Sequence, residues 1–135
     1  MLLSFKLKNM CGCSYKDGNI EFLKSKNCLI SPIGNRVTFY DLDNNTSFTP
    51  DCTTRSDIQH LRASPDSKTM ILVDKQGYSI TVNLETYKVI NHFRFKGPVK
   101  DIHFSPNSLF LAAALEKDIF IYEAPKLFSS IETLV

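Results

Sequence analysis

Apolar and polar residues alternate without a break along Tyr78-Ser79-Ile80-Thr81-Val82-Asn83-Leu84. A period of two puts Tyr, Ile, Val and Leu on one face, the pattern of a half-buried β-strand. Residues 36–42 and 119–123 read as strands of the same kind. Met70-Ile71-Leu72-Val73 and Leu111-Ala112-Ala113-Ala114 are instead short continuous apolar runs, as expected of strands covered on both faces. Ahead of these runs stand Ser64-Pro65-Asp66 and Ser105-Pro106-Asn107. Both read as turns, because proline pre-sets φ and the Ser and Asp/Asn side chains bond nearby backbone. Pro32-Ile33-Gly34-Asn35 and Asp74-Lys75-Gln76-Gly77 read as hairpin turns in which glycine permits a positive φ. Residues 89–95 supply a further strand, closed by Lys96-Gly97-Pro98. Nowhere does a sustained helical stripe occur, and Pro and Gly punctuate the chain too often for one.

These elements repeat. The Ser-Pro-Asp/Asn turn recurs after 41 residues, and the match extends back from Ile58 to Val99 and Leu61 to Ile102. It extends forward from residues 70–73 to 111–114. Cys28-Leu29-Ile30 lies 41 residues before Thr69-Met70-Ile71, and the strand at 36–42 lies 42 before 78–84. Four short strands per unit at this period predict an all-β chain of WD-repeat β-propeller blades. The expected units are an N-terminal strand with blade one over 1–55, blade two over 56–97, a partial blade three over 98–125 and a tail over 126–135. Where such blades usually carry Trp-Asp, this chain has Tyr40-Asp41, Val82-Asn83 and Tyr122-Glu123, and it contains no Trp. Val37, Phe39, Ile80, Val82, Leu111 and Ile121 are expected to pack between neighbouring sheets. Propellers close with roughly four to eight blades, so about three form an incomplete ring that further chain or a partner would complete. Until then, the outermost sheets expose an apolar face.

Composition narrows the class without adding chemistry. The chain has 135 residues, 43% hydrophobic and 22% charged, with a formal charge of +2. It is one domain's length, too apolar for intrinsic disorder and too balanced in charge for a strongly basic nucleic-acid module. The first residues have neither the basic start nor the apolar run of a signal peptide. The apolar run at 109–115 has 7 residues, against roughly 20 needed to span a bilayer. Cys11, Cys13, Cys28 and Cys52 are therefore expected as free thiols in a reducing compartment.

Several segments are more specific than the generic blade. Gly18-Asn19-Ile20, Ile30-Ser31-Pro32-Ile33-Gly34-Asn35-Arg36-Val37, Asp41-Leu42 and Asn44-Asn45 resemble the amino-terminal blade of the periodic tryptophan protein 2 family. The resemblance continues through Ser64-Pro65-Asp66, Val73-Asp74, Asn91-His92-Phe93, Phe95-Lys96-Gly97 and Phe104-Ser105-Pro106, and fades after Lys126. It implies a nuclear, nucleolar scaffold rather than an enzyme. That scaffold would sit among other WD-repeat proteins of the small-subunit processome, a large ribonucleoprotein built on U3 small nucleolar RNA and pre-ribosomal RNA. It also implies that an N-terminal strand, here residues 3–8, completes the first blade. The alternative is a WD-repeat adaptor in another intracellular complex.

Candidate chemistry is sparse. Cys11-Gly12-Cys13 could give two zinc thiolates, but no second closely spaced pair exists, and Cys28 lies in an apolar strand where a thiol acts as a small hydrophobe. His60, His92 and His103 do not recur in a catalytic geometry, and five glycines form no phosphate loop. No catalytic residue, cofactor, metal or small-molecule substrate is assigned, and no membrane contact is expected. Phe93-Arg94-Phe95-Lys96 interleaves rings and cations as a single-strand RNA platform does, although strand alternation alone would bury both rings and solvate both cations. Lys6, Lys8, Lys16, Lys24 and Lys26, with only Asp17 and Glu21 among them, form a local excess of +3. They are the candidate contacts to RNA phosphates; lysines guarding a strand edge would look the same.

Overall fold

The computed structural model describes residues 4–8 and 10–124. Among them there is no helix, and the strands form three antiparallel sheets. The first sheet contains β1 (Glu21–Leu23), β2 (Cys28–Ile33), β3 (Arg36–Asp41) and β4 (Thr46–Phe48) in that spatial order. The second contains β5 (Ile58–Ala63), β6 (Thr69–Asp74), β7 (Tyr78–Asn83) and β8 (Val89–Arg94). In the third, β9 (Asp101–Phe104), β10 (Phe110–Ala114) and β11 (Ile119–Glu123) lie side by side. The first strands β1, β5 and β9 touch one another in succession, so the sheets radiate from a common inner wall as blades do.

The Ser-Pro turns explain why the chain reverses where it does. Ser64 Oγ donates to Asp66 Oδ1 and accepts from the Thr69 amide at 3.1 Å, while Asp66 Oδ1 also accepts from the Lys68 amide. Ser105 repeats this with Asn107 and the Phe110 amide at 3.0 Å, and the Leu109 amide donates to Asn107 Oδ1. In both turns the fourth residue, Ser67 or Ser108, has φ near +60°. Local side-chain bonds hold that conformation in place.

The core lies between sheets, and β6 shows why its apolar run is continuous. Met70 and Leu72 pack toward the first sheet with Ile30, Val37, Phe39, Ile80 and Val82. Ile71 and Val73 pack toward the third with Val99, Ile102, Leu111 and Ala113. A strand between two neighbours buries both faces.

Two expectations need correction. Ile121 does not pack between sheets; it is 63% exposed. The register pairs Leu111 with Tyr122 and Ala113 with Phe120, which turns those rings toward the second sheet and Ile121 away from it. Ile121 thus stands where Thr81 stands one blade earlier, on a face that no described sheet covers. The N-terminal strand is also different. Residues 4–8 carry no strand and are exposed, and Leu3 lies outside the described residues. Strands β1–β4 already fill the four places that β5–β8 fill in the second sheet, which leaves residues 4–8 no partner there. The tail at 126–135 also lies outside the described residues.

Candidate interaction surfaces

The inner wall is built from residues one repeat apart. Glu21, Arg62 and His103 are spaced by 41 residues and meet on adjacent first strands. Arg62 donates through Nη1 to Glu21 Oε2 at 3.2 Å, through Nη2 to Asp101 Oδ1 at 3.3 Å, and through Nε to the Ile102 carbonyl at 2.8 Å. Burial alone would raise the Asp101 carboxyl. The Ile102 amide, the His103 imidazole and the Arg62 guanidinium together hold it below the ordinary carboxylate value. A second set at the same spacing, Asn19, His60 and Asp101, ties the wall to backbone. Asn19 exchanges two bonds with Leu61, 2.8 and 2.9 Å long, and His60 Nε2 lies 2.7 Å from the Val99 carbonyl. Among the described residues, Glu21, Arg62, Asp101 and His103 thus pair with one another across the first strands of the three sheets. The spacing of 41 was the signal that could have revealed these residues.

One rim carries the turns between first and second strands, and they are linked. The Ser25 amide donates to Ser67 Oγ and the Asp66 amide to Ser108 Oγ, both at 3.2 Å. Lys24 and Lys26 lie on this rim and are exposed. Lys26 raises the local potential around Asp41, whose carboxyl is held below its ordinary value chiefly by the Asn44 side chain. Lys16 belongs to the opposite rim, because its neighbour Asp17 pairs with Lys75, in the hairpin after β6, at 3.3 Å. Lys6 and Lys8 are exposed on the strandless segment, and Lys8 borders a cavity of about 260 Å³ with Tyr40, Asp41 and Asn45. The cavity beside Lys8 is bordered by Asp41, which Lys26 also faces, so Lys8, Lys24 and Lys26 lie toward one rim and Lys16 toward the other.

The thiols do not converge. Cys28 and Cys52 are buried in the core between the first two sheets, and burial pushes both thiols up. Cys11 is half-buried, Cys13 is exposed, and all four are free. No group of three or more potential metal ligands comes together among the described residues.

Phe93 and Phe95 share one side, with ring centroids 4.9 Å apart, and both meet Tyr122 of the third sheet edge-on. Phe95 is buried and Phe93 is 43% exposed. Lys96 lies over Phe120. Arg94 points the other way, over Tyr78, with its guanidinium 4.9 Å from the ring centre. Arg55, from the loop joining β4 to β5, covers the same ring at 4.4 Å. Sequence reasoning missed this clamp, since nothing local says that Arg55 reaches a side chain 23 positions away.

The fold matches solved propellers. The β-propeller domain of Myceliophteria thermophila Cps50 (Swd1) superposes with a TM-score of 0.65 at 20% identity, covering 84% of this chain and 38% of that domain. No family model matches the chain. Among curated proteins, the periodic tryptophan protein 2 homolog of Mus musculus is 37% identical over 125 residues, and that of Dictyostelium discoideum is 35% identical over 125. Periodic tryptophan protein 2 of Saccharomyces cerevisiae is also 35% identical over 125 residues. Each alignment takes in 93% of this chain. The chain is a homologue of the N-terminal part of periodic tryptophan protein 2. It spans 14% of the length of these relatives. The periodic tryptophan protein 2 likeness therefore concerns these WD-type blades, and its similarity covers β1 through β11 without depending on a Trp.

Proposed function

We propose that this chain is part of a non-catalytic WD-repeat scaffold in the small-subunit processome, acting in nucleolar pre-ribosomal RNA processing and small ribosomal subunit assembly. The observation that carries this reading is the identity of 33–37% to periodic tryptophan protein 2 across nearly the whole chain. The geometry fits the reading. Rigid blades present turns on two rims, while the charged inner wall is satisfied internally. Its partners are other WD-repeat proteins of the particle. Lys6, Lys8, Lys16, Lys24 and Lys26, being exposed, would add salt-sensitive contacts to phosphates of U3 small nucleolar RNA and pre-ribosomal RNA.

The test is to tag the protein in its own cells, follow its location and analyse what purifies with it. Nucleolar signal and recovery of U3-containing particles support the proposal. Diffuse cytoplasmic signal with recovery of an unrelated complex overturns it in favour of a general adaptor. Replacing Lys24 and Lys26 with alanine should weaken RNA association across sequences and lower the salt slope by about one for each phosphate no longer neutralised.

A further inference from the structure

Strand β8 is the outer strand of the second sheet, and among the described residues it pairs only with β7. Its other edge leaves backbone N–H and C=O groups open, and no Pro or Lys within it guards that edge. At the end of this edge, Arg94 and Arg55 lie over Tyr78. The two guanidiniums help wall a cavity of about 330 Å³, bordered also by Thr53, His92 and Phe93. Elsewhere the chain neutralises a fixed arginine: Arg62 has Glu21 and Asp101. Neither Arg55 nor Arg94 has a carboxylate partner among the described residues. Two like charges brought to one ring, without compensation, favour an anionic occupant.

We infer that the open edge of β8, with the Arg55–Tyr78–Arg94 clamp at its end, docks an extended acidic peptide segment of a partner protein as a fifth strand. This rests on reading the chain as a protein-interaction scaffold, and it names the partner's chemistry. An extended polypeptide repeats at roughly 3.4 Å per residue, as the free edge does, so its main chain can complete the ladder. Its carboxylates at the clamp end accept from both guanidiniums. Single-stranded RNA fits less well. The ring of Tyr78 is occupied by guanidinium groups, and Phe93, though partly exposed, is engaged with Phe95 and Tyr122, so the clamp itself offers a base no free ring to stack on.

The experiment measures fluorescence anisotropy of a labelled synthetic peptide of alternating glutamate and valine with the purified intact protein. Arg55→Ala and Arg94→Ala should each weaken binding about tenfold, and Arg94→Lys less. Lys117→Ala, at an exposed turn of the third sheet, should leave binding unchanged. Of two peptides, one methylated on the glutamate amides and one on the valine amides, the one whose methyls face β8 should lose binding to the wild-type protein, a readout that does not depend on any variant folding. Unchanged affinity for both methylated peptides, or indifference to both arginines, overturns the proposal. So does an oligouridylate that binds more tightly than the peptide and depends on the same arginines, which would make the clamp a phosphodiester site. Particle recovery from cells reads the scaffold role separately: if it persists while peptide binding fails, the docking site falls and the scaffold stands.

Discussion

Asp74 is fully buried at the start of the hairpin after β6. Its Oδ1 accepts from the amides of Gln76 and Tyr78 at 2.9 and 3.0 Å, and its Oδ2 from the Ser56 amide at 3.3 Å. One carboxylate thus forms the hairpin and fastens it to the loop entering β5. Asp74→Ala removes these hydrogen bonds and leaves buried donors unmet, so we expect a loss of about 2–3 kcal/mol in urea melts at matched protein concentration. Asp74→Glu, too long for the pocket, should not restore it. Reactivity at the thiols follows burial in the same way. Cys13 and, more slowly, Cys11 should react with iodoacetamide under native conditions, whereas Cys28 and Cys52 should react only on unfolding. Mass spectrometry of time-resolved labelling checks this, and rapid native labelling of Cys52 would contradict the packing between the first two sheets.

Strands and turns were legible because their chemistry is local. The Ser-Pro turns and the period of two in β7 depend on residues within a few positions of one another. What was not legible depends on registration between repeats. The three-residue β1 has too little alternation to declare itself, and Asn19 holds its entry to Leu61, 42 positions away. Ile121 is apolar on an alternating strand, and only the pairing with Ala112 reveals that it faces away from the second sheet. The inner wall and the Tyr78 clamp were hidden for the same reason: their members come from different repeats. Gly34 and Gly77 show the difference between a conformational and a steric demand. Gly34 has φ +62° and open space where a Cβ would stand, the nearest atom being Asp57 Oδ1 at 3.7 Å. Gly77 has φ +91°, and a Cβ there would meet the Gly97 carbonyl oxygen at 2.5 Å. Gly34→Asn should therefore be nearly neutral, because Asn tolerates the left-handed region, while Gly34→Val should cost about 2 kcal/mol or more. Gly77→Asn should be as damaging as Gly77→Val. Thermal melts of the four variants distinguish the two demands; equal losses for Gly34→Asn and Gly77→Asn would show that crowding is not the difference.

For the molecule as a whole, the outermost faces decide behaviour in solution. On the third sheet Phe110, Ile119 and Ile121 are 46%, 74% and 63% exposed, with Leu109 beside them at 54%. On the first sheet Ile20, Phe22 and Ile33 are 59%, 60% and 46% exposed. These are the positions that a neighbouring blade covers in the interior of the arc, where the equivalent Thr81 is buried. Such contiguous apolar faces exceed what monomers ordinarily leave in water. We expect residues 1–135 expressed alone to associate at micromolar concentration, with light scattering showing species larger than a monomer. Ile119→Lys with Ile121→Lys, placed outside the core between sheets, should shift the population toward monomer while costing no more than about 1 kcal/mol of stability in thermal melts. A wild-type chain that stays monodisperse and monomeric would mean that these faces are covered from within the chain. If the double substitution instead unfolds the protein, Ile121 belongs to the core, and the register of β11 against β10 must be shifted by one residue.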